Sequence, residues 1–197
     1  ASGSLAARFV KPGTRCYDLG CSLGAASLAM RHGARTQDID VIAIDTAAAM
    51  VARCRDATAD DEHIEVVQTD IRHSEISNAS MVVLNYTLQF LPLKDRDAML
   101  QKIADGLNPK GLLVLSEKIV DEDPAMESLL FDLHHEHKRR NAYSELEISR
   151  KRTALENVLV PETISDHRRR LSDAGFKHIA VWLRYFNFVS IIAIKAR

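Results

Sequence analysis

Three acids and an amide fall at points in the sequence where they could hold a charged nucleoside. Asp18-Leu19-Gly20-Cys21-Ser22-Leu23-Gly24 directly follows an apolar run ending at Tyr17, and reads as a strand, a tight glycine turn and a helix start. Such a turn at the carboxyl end of a first strand lets the backbone approach a ligand lying against the following helix. A dinucleotide fingerprint, G-x-G-x-x-G, reserves its middle glycine for a pyrophosphate. Here Ser22 fills that place between Gly20 and Gly24, which disfavours NAD. An acid at Asp18 suits a nucleoside carrying cationic groups instead. Asp45 ends the second apolar run, where a carboxylate can accept from both ribose hydroxyls, although it could equally cap the next helix. Asp70 and Ile71 follow the third run. The acid can accept from an adenine amino group and Ile71 can cover a ring face, or the pair can be a plain surface turn. Asn85 ends the fourth, where an amide can meet cofactor and acceptor or simply satisfy loop backbone.

The elements that must position these residues follow from periodicity. Apolar runs predict strands over 15–19, 40–44, 65–68, 80–85 and 111–117, with helices between most of them. An alanine-rich helix after Asp45-Thr46 runs to Arg55. A helix over 95–107 gives way to a turn at Asn108-Pro109-Lys110-Gly111 that launches strand five. Ser144 and Glu147 form a capping-box pair predicting a helix over 145–158, stopped by Pro161, and a last helix spans 163–174. The segments 177–184 and 188–195 predict an antiparallel hairpin at the sheet edge. D-x-G-x-x-x-G is the first motif of the class I S-adenosylmethionine-dependent methyltransferases. With this strand order, the expected fold is α/β: a Rossmann-like, mainly parallel seven-stranded sheet with a C-terminal antiparallel hairpin, in one domain over 1–197.

Composition excludes several other classes. Among 197 residues almost half are apolar, enough for a substantial core, and 26 basic residues nearly balance 27 acidic ones. No global charge field points to nucleic acid or a membrane surface. Cys16, Cys21 and Cys54 are too few for a disulfide framework and contain no C-x-x-C pair, which fits a reducing cytoplasm. No apolar segment is long enough to span a bilayer. Cys21 sits in the glycine turn, but no neighbouring histidine could activate it, so packing beside a ligand is the expected role. His134-His135-Glu136-His137 lacks the spacing of HExxH, and no metal is expected. Lys138-Arg139-Arg140 and His167-Arg168-Arg169-Arg170 read as solvated helix faces rather than as RNA contacts. In the charged stretch 143–152 an arginine could clamp a carboxylate bidentately, or could pair with Glu145 or Glu156 on the surface.

Four stretches carry a narrower resemblance: Tyr17 to Ala26, Asn78 to Leu91, Tyr143 to Ser149 and Lys151 to Val158. The chain closely resembles the bacterial carboxy-S-adenosylmethionine synthases from about Arg8 onward. The resemblance implies a cytoplasmic homodimer that converts S-adenosyl-L-methionine and prephenate to carboxy-S-adenosyl-L-methionine and phenylpyruvate. This supplies the donor for the uridine-5-oxyacetic acid modification at the tRNA wobble position. A tRNA-modifying enzyme is then the downstream partner, and direct tRNA binding is not expected. By the same resemblance Gly20, Cys21, Ser22, Asp45, Thr46, Asp70, Ile71 and Asn85 hold the nucleoside and methionine parts. Arg152 would bind the added carboxylate, within one subunit or across the dimer, and is the expected catalytic residue. Thr46, Lys110 and Ala142 depart from the usual asparagine, glycine and glycine, and the family's N-terminal lid segment is expected to be missing. The other readings are a conventional methyltransferase of a small molecule or RNA, and a cofactor-binding scaffold docking a partner through the helix 131–140.

Overall fold

The computed structural model describes residues 2–140 and 159–196. Its centre is β1 (Thr14–Leu19), whose last four residues are all buried. It pairs in parallel with β2 (Ile39–Asp45) on one side and β4 (Ala79–Asn85) on the other. β3 (Ile64–Gln68) extends one edge, and β5 (Leu107–Lys118) continues the other in parallel with β4. The antiparallel hairpin of β6 (Phe176–Tyr185) and β7 (Phe188–Lys195) completes a seven-stranded sheet of order β3-β2-β1-β4-β5-β7-β6. The sequence-predicted parallel sheet with an edge hairpin is the observed architecture.

Strand alternation divides the core between the two faces. Tyr17, Leu19, Ile44, Val82, Leu84, Leu113 and Leu115 face a cluster closed by Met99, Leu100 and Ile103 of α4 (Leu93–Gly106) and Leu171 of α6 (Ile164–Asp173). Cys16, Val41, Met81, Val83, Leu112 and Val114 face the opposite cluster, with Met30 of α2 (Ala25–Gly33) and Ala6 of α1 (Ser2–Phe9). α3 (Ala48–Thr58) packs beside β3, and α5 (Pro124–Arg140) follows β5.

Two local outcomes differ from the expected pattern. β5 starts at Leu107 rather than after a turn at 108–111. Leu107 already pairs with Ala79, and the register shift between Ala79 and Met81, with Lys110 at φ 65°, absorbs Asn108 and Pro109 within the strand. No regular helix joins β3 to β4. That connection is instead held by the Lys102 ammonium of α4, which donates to the carbonyls of Ile71, Arg72 and Ser74 at 2.7, 2.9 and 2.8 Å. The expected capping box and helix over 145–158 lie outside the described residues. A capping box does open α6, where Thr163 and Asp166 exchange side chain-to-backbone hydrogen bonds.

Candidate functional site

The carboxyl ends of β1, β2, β3 and β4 converge on one cavity of about 980 Å³, lined by Asp18, Gly20, Cys21, Ser22, Asp45, Thr46, Asp70, Ile71 and Asn85, among others. Every described residue named for the site from sequence borders it. Arg152 lies outside the described residues.

The glycine turn is shaped by two close approaches. Gly20 has φ 83°, and a Cβ there would collide with the Thr87 hydroxyl, so the turn is pressed against the segment following β4. Gly24 has φ 80°, and its Cβ would sit 2.8 Å from Cys54 Sγ. Ser22 and Tyr86 also take positive φ, 50° and 57°, and both line the cavity. Each such non-glycine residue costs on the order of 1–3 kcal/mol, and backbone strain of this kind concentrates at functional sites.

Asp18 is 1% exposed and accepts from Ser27 Oγ at 2.6 Å, in the first turns of α2. Burial pushes its carboxyl up to about 6. Asp45 borders the cavity and does not cap the next helix, whose N-cap is Ala47. One carboxylate oxygen accepts from the Ala47 amide and the other from the Ser22 amide, each at 2.9 Å. A carboxylate oxygen has two acceptor sites, so each oxygen retains acceptor capacity toward the cavity. Asp70 is clamped by Arg72, whose guanidinium and amide hold both of its oxygens and bring its carboxyl down to about 2. Arg72 also reaches Asp95 at 2.7 Å. Ile71 is buried at the cavity wall. Cys21 is 5% exposed against Cys54 and Ala43, and burial pushes its thiol upward, away from the thiolate a nucleophile needs.

The wall beyond Asn85 depends on residues with no local sequence signal. Glu117, fully buried on β5, accepts from the Leu88 and Gln89 amides at 3.0 Å, and the Gln89 side chain accepts from the Lys118 amide at 3.0 Å. Burial pushes the Glu117 carboxyl up to about 8 against these backbone donors. Below the turn, Arg96 is fully buried, donates to the Leu91, Gln89 and Val160 carbonyls and pairs with Glu162. Arg170 joins Glu162 to Asp97. The basic run 167–170 is therefore not wholly a solvated face: His167 and Arg170 are buried, and Arg169 pairs with Asp173. The histidines of α5 pack with rings rather than with one another's ligating atoms. His134 lies 5.0 Å from Phe188, and His137 meets Tyr185.

The strand order, the glycine turn and the acids at successive strand ends define a class I methyltransferase fold with its ligand crevice at the expected edge of the sheet. Residues 17–111 match a methyltransferase domain family. The fold is shared with human N-acetylserotonin methyltransferase solved with SAM, at TM-score 0.65, 18% identity and coverage of 100% of this chain and 51% of that one. A protein of Bordetella parapertussis matches at TM-score 0.70 and 16% identity, covering 100% and 66%. Sequence similarity is far closer to carboxy-S-adenosyl-L-methionine synthases. That of Shewanella oneidensis is 54% identical over 196 residues, 98% of this chain and 81% of the relative. That of Escherichia coli O17:K52:H18 is 53% identical over 197 residues, 98% and 80%. The chain belongs to the carboxy-S-adenosyl-L-methionine synthase family.

Proposed function

We propose that this protein converts S-adenosyl-L-methionine and prephenate to carboxy-S-adenosyl-L-methionine and phenylpyruvate, the product serving as donor for tRNA wobble uridine modification by a partner enzyme. The near-full-length identity to synthases of this name carries the reading. The donor set fits a cationic nucleoside. Asp45 retains acceptor sites for ribose hydroxyls, Asp18 lies beside the turn where a sulfonium or ammonium would sit, and Gly20 and Ser22 form the turn itself. Asp70, Ile71, Thr46, Cys21 and Asn85 complete the nucleoside wall. Prephenate gives up carbon dioxide and hydroxide as its ring aromatises, and the S-methyl carbon loses a proton and bonds the carbon dioxide. The proton and hydroxide together make one water, so the balance closes.

Arg152 is proposed to hold the developing carboxylate, since a guanidinium supplies two parallel donors and fixed positive charge, and this chemistry requires a site that excludes water. We take the chain as one domain acting in the cytoplasm. No helix among the described residues is long and apolar enough to cross a membrane. A homodimer is supported by α5, which has no buried residue and exposes Met126, Leu129 and Leu133 at helical spacing. The test is mass spectrometry of the nucleoside formed from S-adenosyl-L-methionine and prephenate. The unmodified chain is expected to yield a species heavier by one carboxyl group, and Arg152→Leu to lose at least 100-fold of that yield, roughly 3 kcal/mol of transition-state stabilisation. Unchanged yield in the variant would remove Arg152 from the mechanism.

A further inference from the structure

Strand alternation places the last inward residues of β2, β1, β4 and β5 on one face of the sheet. Val41, Ala43 and Asp45, then Cys16 and Asp18, then Met81, Val83 and Asn85, then Leu112, Val114, Ser116 and Lys118, share the side that carries α1 and α2. Across the carboxyl edge the polar chemistry therefore runs from carboxylates at Asp45 and Asp18, through the amide of Asn85, to an ammonium at Lys118. Asn85 pairs with Ser116, so Lys118 lies two residues further along the neighbouring strand, about 7 Å beyond the end of the nucleoside wall.

Lys118 is paired with Phe188 of β7, and apolar rings gather there. The Tyr86 ring, on the cavity wall, meets the Phe188 ring edge-on at 5.8 Å, and His134 of α5 packs on Phe188 from its other neighbour position at 5.0 Å. Burial, together with the positive charge of Lys138 and Lys118, holds the His134 imidazole down to about 4. It is a neutral ring in a positively biased corner at neutral pH.

We propose that the corner formed by Lys118, His134 and Phe188 beside Tyr86 is the subsite for the second substrate, and that it takes a ring-bearing dicarboxylate anion. This deepens the synthase reading and rests on it. A cationic nucleoside over Asp45 and Asp18 and an anionic ring over Lys118 are each opposite in sign to the part of the edge beneath them. The two ligands also attract one another across Asn85. The rings supply the apolar contact that a cyclohexadiene or phenyl ring requires and leave the ammonium to the carboxylate.

The test measures initial rates of carboxy-S-adenosyl-L-methionine formation while prephenate is varied, alongside calorimetric binding of S-adenosyl-L-methionine and of prephenate. In Lys118→Met the KM for prephenate should rise at least tenfold and its binding weaken in parallel. S-adenosyl-L-methionine affinity should stay within twofold, and Lys118→Arg should recover most of the loss. His134→Gln should raise the same KM severalfold without altering nucleoside affinity, and it serves if Lys118→Met does not fold. Unchanged prephenate KM and binding in both variants overturns the subsite. If the unmodified chain makes no carboxylated nucleoside, the synthase reading fails. Lys118-dependent prephenate binding in the calorimeter would then support the subsite, and Lys118-independent binding, or none, would overturn it.

Discussion

Asp18 concentrates the electrostatics of the site in one carboxyl group. Its folded-state value, about 6, lies above the ordinary aspartate range because burial penalises the charge. The native state thus holds the proton more tightly than the unfolded chain. Asp18 contributes stability below about pH 4, and that contribution is lost as the pH rises through 6. A cationic ligand reverses the preference by favouring the carboxylate. S-adenosyl-L-methionine affinity should therefore tighten between pH 5 and pH 7, by at most about tenfold per pH unit for a single proton. Asp18→Asn should flatten the profile in calorimetric titrations, and an identical slope in the variant would assign the linkage to another group. Asp18, Asp45, Asp70 and Asn85 were legible from sequence because each is a polar residue at or just past the end of an apolar run, a pattern contained within a few positions. Arg72, Glu117, Arg96 and Lys118 were not. Arg72 belongs to no motif or periodic pattern, and Arg96 finds its carboxylate 66 positions away, at Glu162, where no local spacing points.

At the level of elements, the segment that begins at Leu159 is tied to the cavity by the buried Arg96, Glu162 and Arg170, with the exposed Asp97 at the outer end of the group. Val160 donates its amide to the Gln89 carbonyl and Val120 donates to that of Glu162, so these ion pairs join the β4–α4 turn, β5 and α6. Removing one partner leaves buried charge without compensation. Glu162→Ala should lower unfolding stability by about 3–5 kcal/mol, read as a shifted urea midpoint at unchanged slope. A loss below 1 kcal/mol would mean that the two guanidiniums find water instead. The strands and the hairpin were readable because a parallel sheet covered on both faces demands continuous apolar runs. The start of β5 was not, because Asn-Pro-Lys-Gly has the composition of a turn while its neighbours hold it in the ladder through a bulge. α1 was also missed. Its eight residues are too few to be helical alone, and it forms through the close contact of Gly3 with Gly33 of α2.

For the whole molecule, the balance of charge leaves association to apolar surface. The exposed Met126, Leu129 and Leu133 stripe of α5 is the candidate seam of a homodimer. Sedimentation at micromolar concentration should give twice the 22.0 kDa chain mass, and Leu129→Glu with Leu133→Glu should return it to the monomer. A monomer at every concentration would refute the dimer. An unaltered dimer in the variant would move the seam elsewhere. The order of the sheet also bears on how the chain reaches this state. β7 is made after β6 but stands between it and β5. As the polypeptide leaves the ribosome, β6 has no strand to join, and the far edge of β5 stays an open row of amides and carbonyls until β7 emerges and inserts. The nascent protein therefore passes through an interval in which an apolar ladder is a sticky margin, and chaperone protection would matter most during that interval.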